Sequence, residues 1–175
     1  MNYEPYLSKE DISKIVESVA KQVDDYCNEY NITDLIVLGV MNGALFFTSD
    51  LLRKMYTDVE LHSVYIKSYE NNSNENTNLT CHGLEYVPIK DRIILIVDDV
   101  YDSGQTLDWL RSTLQNLGAK QVLSCALIDK IPGHPNKPSH LTFVGHKMTT
   151  KKFLVGYGMD DNGYRRGLNQ IVVIV

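Results

Sequence analysis

The run Ile93–Val97 (IILIV) constrains the fold of this 175-residue chain more than any other segment. Five successive aliphatic residues favour a strand that is buried on both faces, as the strands of parallel sheets are. Leucines recur at helical spacing soon after it, at positions 107, 110, 114 and 117. A buried strand followed by a loop and a helix is the repeating unit of α/β proteins. We therefore expect a mainly parallel sheet with helices on both faces.

The rest of the chain shows the same alternation. A capping box at Ser8 and Asp11 predicts the start of a helix that ends near Tyr30, and a second helix is expected after Gly43. The other predicted strands are Asp34–Val40, Ser63–Lys67, Val122–Ile128, Thr142–Val144, Phe153–Tyr157 and Ile171–Val175. The tract Glu70–Asn78 has no aliphatic or aromatic residue and is expected to be a mobile loop. No repeat or linker interrupts the pattern, so we expect one domain over residues 1–175.

Charge and cysteine content narrow the classes of function. With 17 Lys and Arg against 22 Asp and Glu, the net charge is −5, which disfavours nucleic acid and anionic membranes as partners. The three cysteines are widely spaced and no two of them form a CxxC pair, so neither a disulfide framework nor a zinc site is expected. The N-terminal residues show no signal-peptide pattern, and no apolar run is long enough to span a membrane. We therefore expect a cytoplasmic protein that binds neither nucleic acid nor membranes.

The predicted loop Asp98–Thr106 carries the most informative chemistry. Hydroxyl groups, a permissive glycine and amide donors come together at a helix N-terminus, which predicts a cradle for a phosphate monoester. These residues are Ser103, Gly104 and Thr106, with Asp102 at the edge of the cradle. The loop lacks the lysine of a Walker A motif, which disfavours a nucleoside triphosphatase. Asp98 and Asp99 can accept hydrogen bonds from a sugar diol. Helix capping explains one such acid, but three acids around a phosphate cradle favour a binding site.

The segment IILIVDDVYDSGQTL resembles the phosphoribosyl-pyrophosphate signature of the type I phosphoribosyltransferases. The other motifs, from about Leu35 to Gln170, resemble the hypoxanthine-guanine phosphoribosyltransferases. The resemblance implies the type I phosphoribosyltransferase fold, a mainly parallel twisted sheet flanked by helices, with a small hood formed by the N- and C-terminal segments. It implies that Asp98 and Asp99 hold the ribose hydroxyls and that Asp102 lies near N7 of the purine. The residues that it assigns to the 5′-phosphate are Asp102, Ser103, Gly104, Gln105 and Thr106.

Further matches concern the purine and the metal ion. Lys130 matches a lysine that binds the purine 6-oxo group, Phe153 matches an aromatic residue that stacks on the base, and the backbone of Leu154 would read the edge of the base. Asp160 matches an aspartate that lies beside the purine and is associated with magnesium. Asp98, Asp99 and Asp160 are therefore the metal ligands that the resemblance implies. Taken singly, each match also fits a surface, core or turn residue; their common order along the chain is specific.

The pyrophosphate segments depart partly from the family pattern. Asn42 precedes Gly43 where many relatives have Lys or Arg, in a loop whose backbone, often with a non-proline cis peptide, contacts pyrophosphate. Ser68 and Tyr69 match a lid dipeptide that closes over the reacting centre, but the tract that follows is unusually rich in Asn. Arg166 matches an arginine that contacts pyrophosphate.

The resemblance implies magnesium-dependent transfer of the phosphoribosyl group from phosphoribosyl pyrophosphate to N9 of hypoxanthine or guanine. The products would be IMP or GMP, formed in purine salvage, with Asp102 as the catalytic residue and a homodimer or homotetramer as the assembly. One alternative on the same fold is transfer to xanthine, uracil or orotate. Another is a regulatory protein that senses RNA or nucleotides, which the net charge of −5 disfavours.

Overall fold

A computed structural model describes residues 2–69 and 78–175. The described residues form three α-helices, α1 (Lys9–Glu29), α2 (Leu45–Lys54) and α3 (Gln105–Asn116). They also form nine strands, β1 (Tyr3–Leu7), β2 (Leu35–Met41), β3 (Val59–Tyr69), β4 (Asn78–His82), β5 (Ile93–Tyr101), β6 (Gln121–Lys130), β7 (Phe143–Met148), β8 (Phe153–Val155) and β9 (Ile171–Ile174). Short 3-10 helices lie at Leu84–Tyr86 and Ile131–Gly133. None of the helices in this part of the chain is both long and apolar enough to cross a membrane.

The central sheet contains six of the described strands, in the order β4-β3-β2-β5-β6-β7. All neighbouring pairs are parallel except β3 with β4. Successive residues of the inner strands point to opposite faces. Val37 and Leu95 belong to the apolar cluster of α1 and α2, whereas Ile36 and Ile94 belong to the cluster of α3. Both faces of β2 and β5 are therefore buried, which explains their continuous apolar sequences.

Helix α1 begins where the capping box predicts. Ser8 Oγ accepts a hydrogen bond from the backbone N–H of Asp11 at 3.1 Å, and the backbone N–H of Ser8 donates to Asp11 Oδ2 at 3.0 Å. Both bonds satisfy amide donors that the helix itself leaves unpaired. The helix ends at Glu29, with Tyr30 as its C-cap, and buries Val16, Val19 and Val23 against the sheet.

The first and last segments of the chain form a second, antiparallel sheet in the order β1-β9-β8. Its buried residues Leu154, Ile171 and Val173 belong to the same apolar cluster as α1. This small sheet is the hood that the family resemblance implies. The expected α/β fold, with a mainly parallel sheet and flanking helices, is confirmed.

Several strands differ in length from the sequence-based prediction, among them β3, β7 and β8, and three further differences concern predicted site and loop residues. Strand β5 continues to Tyr101, so Asp98 and Asp99 belong to a strand and not to a loop, because the ladder to β6 runs on past the last apolar residue. Helix α3 already includes Gln105 and Thr106. Asn78, expected in a loop, begins β4, and the rest of that predicted loop, residues 70–77, lies outside the described residues.

Candidate active site

The carboxyl ends of β2, β5 and β6 carry most of the predicted site residues. The three strands are neighbours in the sheet, and ligands of open α/β sheets bind at this edge. Met41 ends β2, the acids Asp98 and Asp99 lie near the end of β5, and Lys130 ends β6. Strand β8 of the hood contributes Phe153. The central sheet therefore brings together residues up to 89 positions apart in the sequence, Met41 and Lys130.

Asp98, which is buried, and Asp99, which is half-buried, form an acidic pair. Asp98 is 7% exposed, its Oδ1 accepts a hydrogen bond from the backbone N–H of Asp99 at 3.0 Å, and Asp99 Oδ1 accepts from the backbone N–H of Val100 at 2.8 Å. Burial, reinforced by the neighbouring carboxylate, raises the pKa of Asp98 well above its usual range. Burial also raises the pKa of Asp99. Two such carboxylates are stabilised by hydroxyl donors or by a cation.

The Asn42-Gly43 segment packs directly on this pair. The peptide bond between Met41 and Asn42 is cis. Gly43 lies so close to Asp99 that a Cβ at this position would overlap the carboxylate, and a Cβ at Gly158 would overlap the carbonyl oxygen of Gly43. The predicted pyrophosphate loop therefore lies between the acidic pair and the hood, and glycine is required where the two backbones meet.

The predicted phosphate cradle forms a small cavity of about 80 Å³ at the start of α3. Gly104 is the N-cap of this helix and has φ = 79°, a conformation that favours glycine. Ser103 Oγ accepts a weak hydrogen bond from the backbone N–H of Gln105 at 3.3 Å. The lining residues include Asp98, Asp102, Ser103, Gly104, Gln105 and Thr106. Backbone amides at a helix N-terminus, surrounded by hydroxyl groups, suit a phosphate group.

A second cavity, of about 200 Å³, adjoins the cradle. Its wall includes all four residues predicted to bind the purine, Lys130, Phe153, Leu154 and Asp160. The Phe153 residue is 55% exposed, which leaves its ring accessible for stacking, whereas Leu154 is buried. Asp99, Val100, Asp102 and Met159 complete the lining. Four apolar residues, one of them aromatic, can pack on a planar base, and the four charged residues can bind polar groups at its edge.

Asp102 and Lys130 form an ion pair within this cavity, which we call the base-site pair. Lys130 Nζ donates to Asp102 Oδ2 at 2.9 Å. The Lys130 side chain is 12% exposed and the Asp102 side chain is 51% exposed. Asp102 also lines the phosphate cradle, so it stands where the two cavities meet.

A loop of the hood closes the opposite side of the site. Arg166 donates to the carbonyl oxygen of Gly158 at 2.7 Å and pairs with Asp160 Oδ1 at 2.8 Å. The other carboxylate oxygen of Asp160 accepts from the backbone N–H of Gly163 at 2.7 Å. Asp160 and Arg166 are thus held to each other, close to the segment Asn42-Gly43 that Gly158 touches.

The acids at this site fit a hard cation that is bound together with a substrate. No three His, Cys, Asp or Glu side chains within residues 2–69 and 78–175 converge closely enough to hold a metal ion by themselves. Asp99 and Asp160 do line the same cavity, and the raised pKa values of Asp98 and Asp99 indicate that a neighbouring positive charge would stabilise both carboxylates. Mg²⁺ is commonly bound by one or two carboxylates, with substrate phosphates and water completing its shell.

The lid assignment of Ser68 and Tyr69 stays a prediction, because the structure describes only the backbone of these two residues. Ser68 and Tyr69 are the last residues of β3 and pair with Leu79 and Asn78 of β4; their side chains are not among the described features. Sequence reasoning missed Val100 and Met159 in the purine cavity. Both are apolar neighbours of predicted residues, and no local pattern distinguishes them from core residues.

Comparisons with known proteins concern the family and the fold. Residues 2–162 match the family model for the phosphoribosyl transferase domain. The hypoxanthine-guanine phosphoribosyltransferase of Bacillus subtilis is 30% identical over 96% of this chain and 91% of its own length. The hypoxanthine phosphoribosyltransferase of Haemophilus influenzae is 27% identical over 97% of this chain and 93% of its own. A crystal structure of a hypoxanthine-guanine phosphoribosyltransferase from Bacillus anthracis gives a TM-score of 0.83 at 26% identity, with 98% of each chain covered.

Proposed function

The chain belongs to the phosphoribosyl transferase domain family and, within it, to the hypoxanthine-guanine phosphoribosyltransferases, and on this basis we propose that it transfers a phosphoribosyl group to a 6-oxopurine. The donor is phosphoribosyl pyrophosphate, the acceptor atom is N9 of hypoxanthine or guanine, and the products are IMP or GMP and pyrophosphate. This is a purine salvage reaction. The observation that carries the assignment of residues is the position of Asp102, which lines both the purine cavity and the phosphate cradle.

The wall of the purine cavity supports selection of a 6-oxo base. A ring stacked on Phe153 gains about 1–3 kcal/mol whatever its identity, so specificity has to come from polar groups. The ammonium of Lys130 can only donate hydrogen bonds. It therefore suits the 6-oxo acceptor of hypoxanthine and guanine, whereas the 6-amino group of adenine would face it with another donor. Sites built around such a bond reject the mismatched analogue by up to about 10⁴–10⁵-fold.

The base-site pair supports a role for Asp102 in proton transfer. Lys130 has three N–H donors, so it can retain Asp102 while it donates to the purine oxygen. The Asp102 carboxylate then lies beside the imidazole ring of the base, where it accepts the proton that leaves as N9 attacks or holds the proton at N7. The attacked carbon passes through a cationic transition state, so stabilisation of charge matters more than a protein nucleophile.

The cradle and the acidic pair support binding of the ribose phosphate. The 5′-phosphate fits among the backbone amides and hydroxyl groups of residues 102–106, where the dipole of α3 favours an anion. Asp98 and Asp99 can accept hydrogen bonds from the two ribose hydroxyls. Such bonds to ionised acceptors are stronger than bonds between neutral groups.

Family membership implies a metal-dependent reaction, and we propose Mg²⁺ as the ion. Asp98, Asp99 and Asp160 would hold it together with substrate oxygens. When bound, the ion supplies positive charge against the charge that develops on pyrophosphate. Arg166 and the backbone of Asn42 and Gly43 lie at the same side of the site and would bind the pyrophosphate.

The lid, the assembly and the location of the enzyme complete the proposal. Strand β3 continues past Tyr65, its last residue paired with β2, so Ser68 and Tyr69 extend beyond the end of β2 together with β4 and would close over the reacting centre. Closure would keep water from a cationic intermediate.

We propose a cytoplasmic homodimer or homotetramer without nucleic-acid or membrane partners. Three free cysteines suit a reducing compartment.

A panel of bases tests this function directly. Purified enzyme with phosphoribosyl pyrophosphate and Mg²⁺ is offered hypoxanthine, guanine, xanthine, adenine, uracil and orotate in turn, and nucleotide formation is followed by liquid chromatography. We expect IMP and GMP, with adenine used at least about 10³-fold less efficiently. Omission of Mg²⁺ controls for the metal. Nucleotide formed chiefly from orotate, uracil or adenine would reject the purine assignment.

A further inference from the structure

A buried ion pair that the proposed reaction does not use lies behind the purine cavity. His134 Nε2 is 2.7 Å from Asp129 Oδ1, and the two side chains are 3% and 2% exposed. Ser139 Oγ donates to the other Asp129 oxygen at 3.0 Å. His134 Nδ1 lies 3.0 Å from the carbonyl oxygen of Lys137. Every polar atom of the two side chains therefore has a partner.

These partners determine the protonation state of His134. A backbone carbonyl and an ionised carboxylate can only accept hydrogen bonds, so each ring nitrogen has to carry a proton. Burial lowers the pKa of the imidazole, but the hydrogen bonds to Lys137 and Asp129 raise the pKa by more, and the net shift is upward. The Tyr101 ring packs edge to face against the imidazole, with 5.0 Å between ring centroids. His134 is thus an imidazolium enclosed by a carboxylate, a carbonyl and an aromatic ring.

Two contacts connect this ion pair to the site. Tyr101 and Asp129 are directly opposite each other in the ladder between β5 and β6, and each is followed by one member of the base-site pair. Successive strand residues point to opposite faces, so the buried pair supports the sheet edge from the side away from the purine. Gly133, directly before His134, packs so closely on Asp102 that a Cβ there would overlap the Asp102 carboxylate. A shift of the Ile131–Gly133 turn would therefore displace Asp102.

We propose that His134 and Asp129 are positioning residues for the transfer reaction. Their ion pair anchors the Ile131–Gly133 turn to the end of β6 and so holds the base-site pair in the geometry that the purine requires. Neither residue touches substrate. The inference rests on the proposed function, because loss of the anchor is measured as a change in the reaction that the base-site pair supports. Displacement of a reacting group by about 1 Å can cost 10²-fold in rate.

Three variants distinguish an effect on the position of the base-site pair from an effect on the stability of the protein. In the double variant Asp129→Leu with His134→Phe, apolar side chains replace the whole pair, an exchange that is often neutral or stabilising. In Asp129→Asn, a neutral His134 can accept from the new amide while Ser139 donates to the amide oxygen, so the anchor is kept without charge. His62→Phe is the matched control, because His62 pairs with Glu60 at 2.8 Å on β3, outside both cavities.

We expect the double variant to fold, to keep the KM for phosphoribosyl pyrophosphate within about threefold and to lose about 10- to 100-fold in kcat with hypoxanthine. Asp129→Asn should retain at least about a third of the wild-type kcat, and His62→Phe all of it. A folded double variant with wild-type kcat overturns the proposal. So does a double variant that fails to fold, which makes the pair structural, or an Asp129→Asn variant as slow as the double variant.

Two further measurements distinguish failure of this inference from failure of the proposed function. If the wild-type enzyme forms no IMP, the function is wrong, and calorimetric titration of IMP into the wild type and the variants then compares the base site without turnover. Nitrogen-15 NMR of the His134 ring at pH 7 should show two protonated nitrogens in the wild type. A ring with one protonated nitrogen would overturn the ion pair itself.

Discussion

Asp102 is the residue at which the proposed chemistry can be tested most directly. Asp102→Asn keeps the shape of the side chain but removes its capacity to accept a proton. We expect kcat for IMP formation to fall by about 10²–10⁴-fold, the usual contribution of general acid–base catalysis. Binding of phosphoribosyl pyrophosphate should change little by comparison. Steady-state kinetics across pH 6–9 measure both quantities.

Asp25→Asn is a suitable control for this variant. Asp25 also pairs with a lysine, Lys21, at 2.6 Å, but on the exposed surface of α1. It should leave kcat unchanged, since surface pairs of this kind contribute little. An Asp102→Asn enzyme that turns over near the wild-type rate at every pH would show that this carboxylate is not the base.

The acidic pair at the end of β5 gives a prediction with opposite effects on binding and stability. Replacing Asp98 and Asp99 with Asn removes charge-assisted bonds to the ribose hydroxyls, worth about 1.5–3 kcal/mol each, so affinity for phosphoribosyl pyrophosphate with Mg²⁺ should fall at least about 10-fold. Because burial raises the pKa of both groups, the folded protein holds their protons more tightly than the unfolded chain does. Stability of the metal-free protein therefore falls as the pH rises from about 4 through these raised values.

Urea unfolding without metal, at pH 5 and at pH 7.5, measures this dependence. The double Asn variant should be more stable than the wild type at pH 7.5, and the difference should shrink at pH 5, where the wild-type carboxyls are more protonated. Equal affinity and an unchanged pH dependence would mean that the two acids do not bind the ribose and are not destabilised by burial.

For individual residues, the sequence predicts a role where several polar residues with one function are contiguous. The acids and hydroxyls of positions 98–106 are contiguous, so a phosphate and sugar site follows from them directly. Lys130 and Phe153 are isolated in the sequence, and only their order relative to other motifs predicts that they belong to the site. The support from His134 and Gly133 could not be predicted, because it depends on the register of Tyr101 with Asp129 and on a turn that folds back onto Asp102.

Among the secondary-structure elements, the β3–β4 hairpin is the one in which effects on stability and effects on turnover can be measured separately. Tyr69 pairs with Asn78, so the ends of the intervening tract are already held together. Deleting residues 72–76 leaves three connecting residues, which is within the usual length of a hairpin loop. We expect the deletion to leave the free energy of unfolding nearly unchanged, since that tract contains no apolar side chain.

Tyr69→Ala should instead lower turnover and leave the melting temperature unchanged, because an incomplete lid admits water to the reacting centre. Protease cleavage near Asn74 should be fast in the free enzyme and slower with Mg²⁺ and phosphoribosyl pyrophosphate. If cleavage is equal in both states and Tyr69→Ala is fully active, the lid assignment is wrong.

The elements that sequence patterns missed are strands at sheet edges. β1 contains Pro5 and lies at the edge of the hood, where proline is tolerated; its pairing partner β9 is at the other end of the chain. β4 begins within a polar tract and is ordered by its ladder to β3. The inner strands and the long helices were predicted because burial imposes a continuous apolar run or a 3.6-residue period on them.

For the whole molecule, the two sheets share one apolar cluster. Val16 of α1, Leu51 of α2 and Leu127 of the central sheet belong to the same cluster as Leu154 and Ile171 of the hood. The hood is also bonded to the main body through Tyr157, which donates to Asp50 Oδ2 of α2 at 2.7 Å. Burial and the Asp50 carboxylate raise the pKa of this phenol above its ordinary value, so it stays protonated as a donor at neutral pH. A shared core predicts that neither sheet melts alone.

Calorimetry of the ligand-free protein tests this expectation of a single domain. We expect one transition with equal calorimetric and van't Hoff enthalpies. Tyr157→Phe should lower the melting temperature by about 3–12 °C, because a hydrogen bond to a carboxylate contributes about 1.5–3 kcal/mol and a chain of this size shifts by about 2–4 °C per kcal/mol. Tyr164→Phe is the control, since Tyr164 is 77% exposed. A second transition in Tyr157→Phe would show that the hood unfolds by itself, and the chain would then consist of two cooperative units.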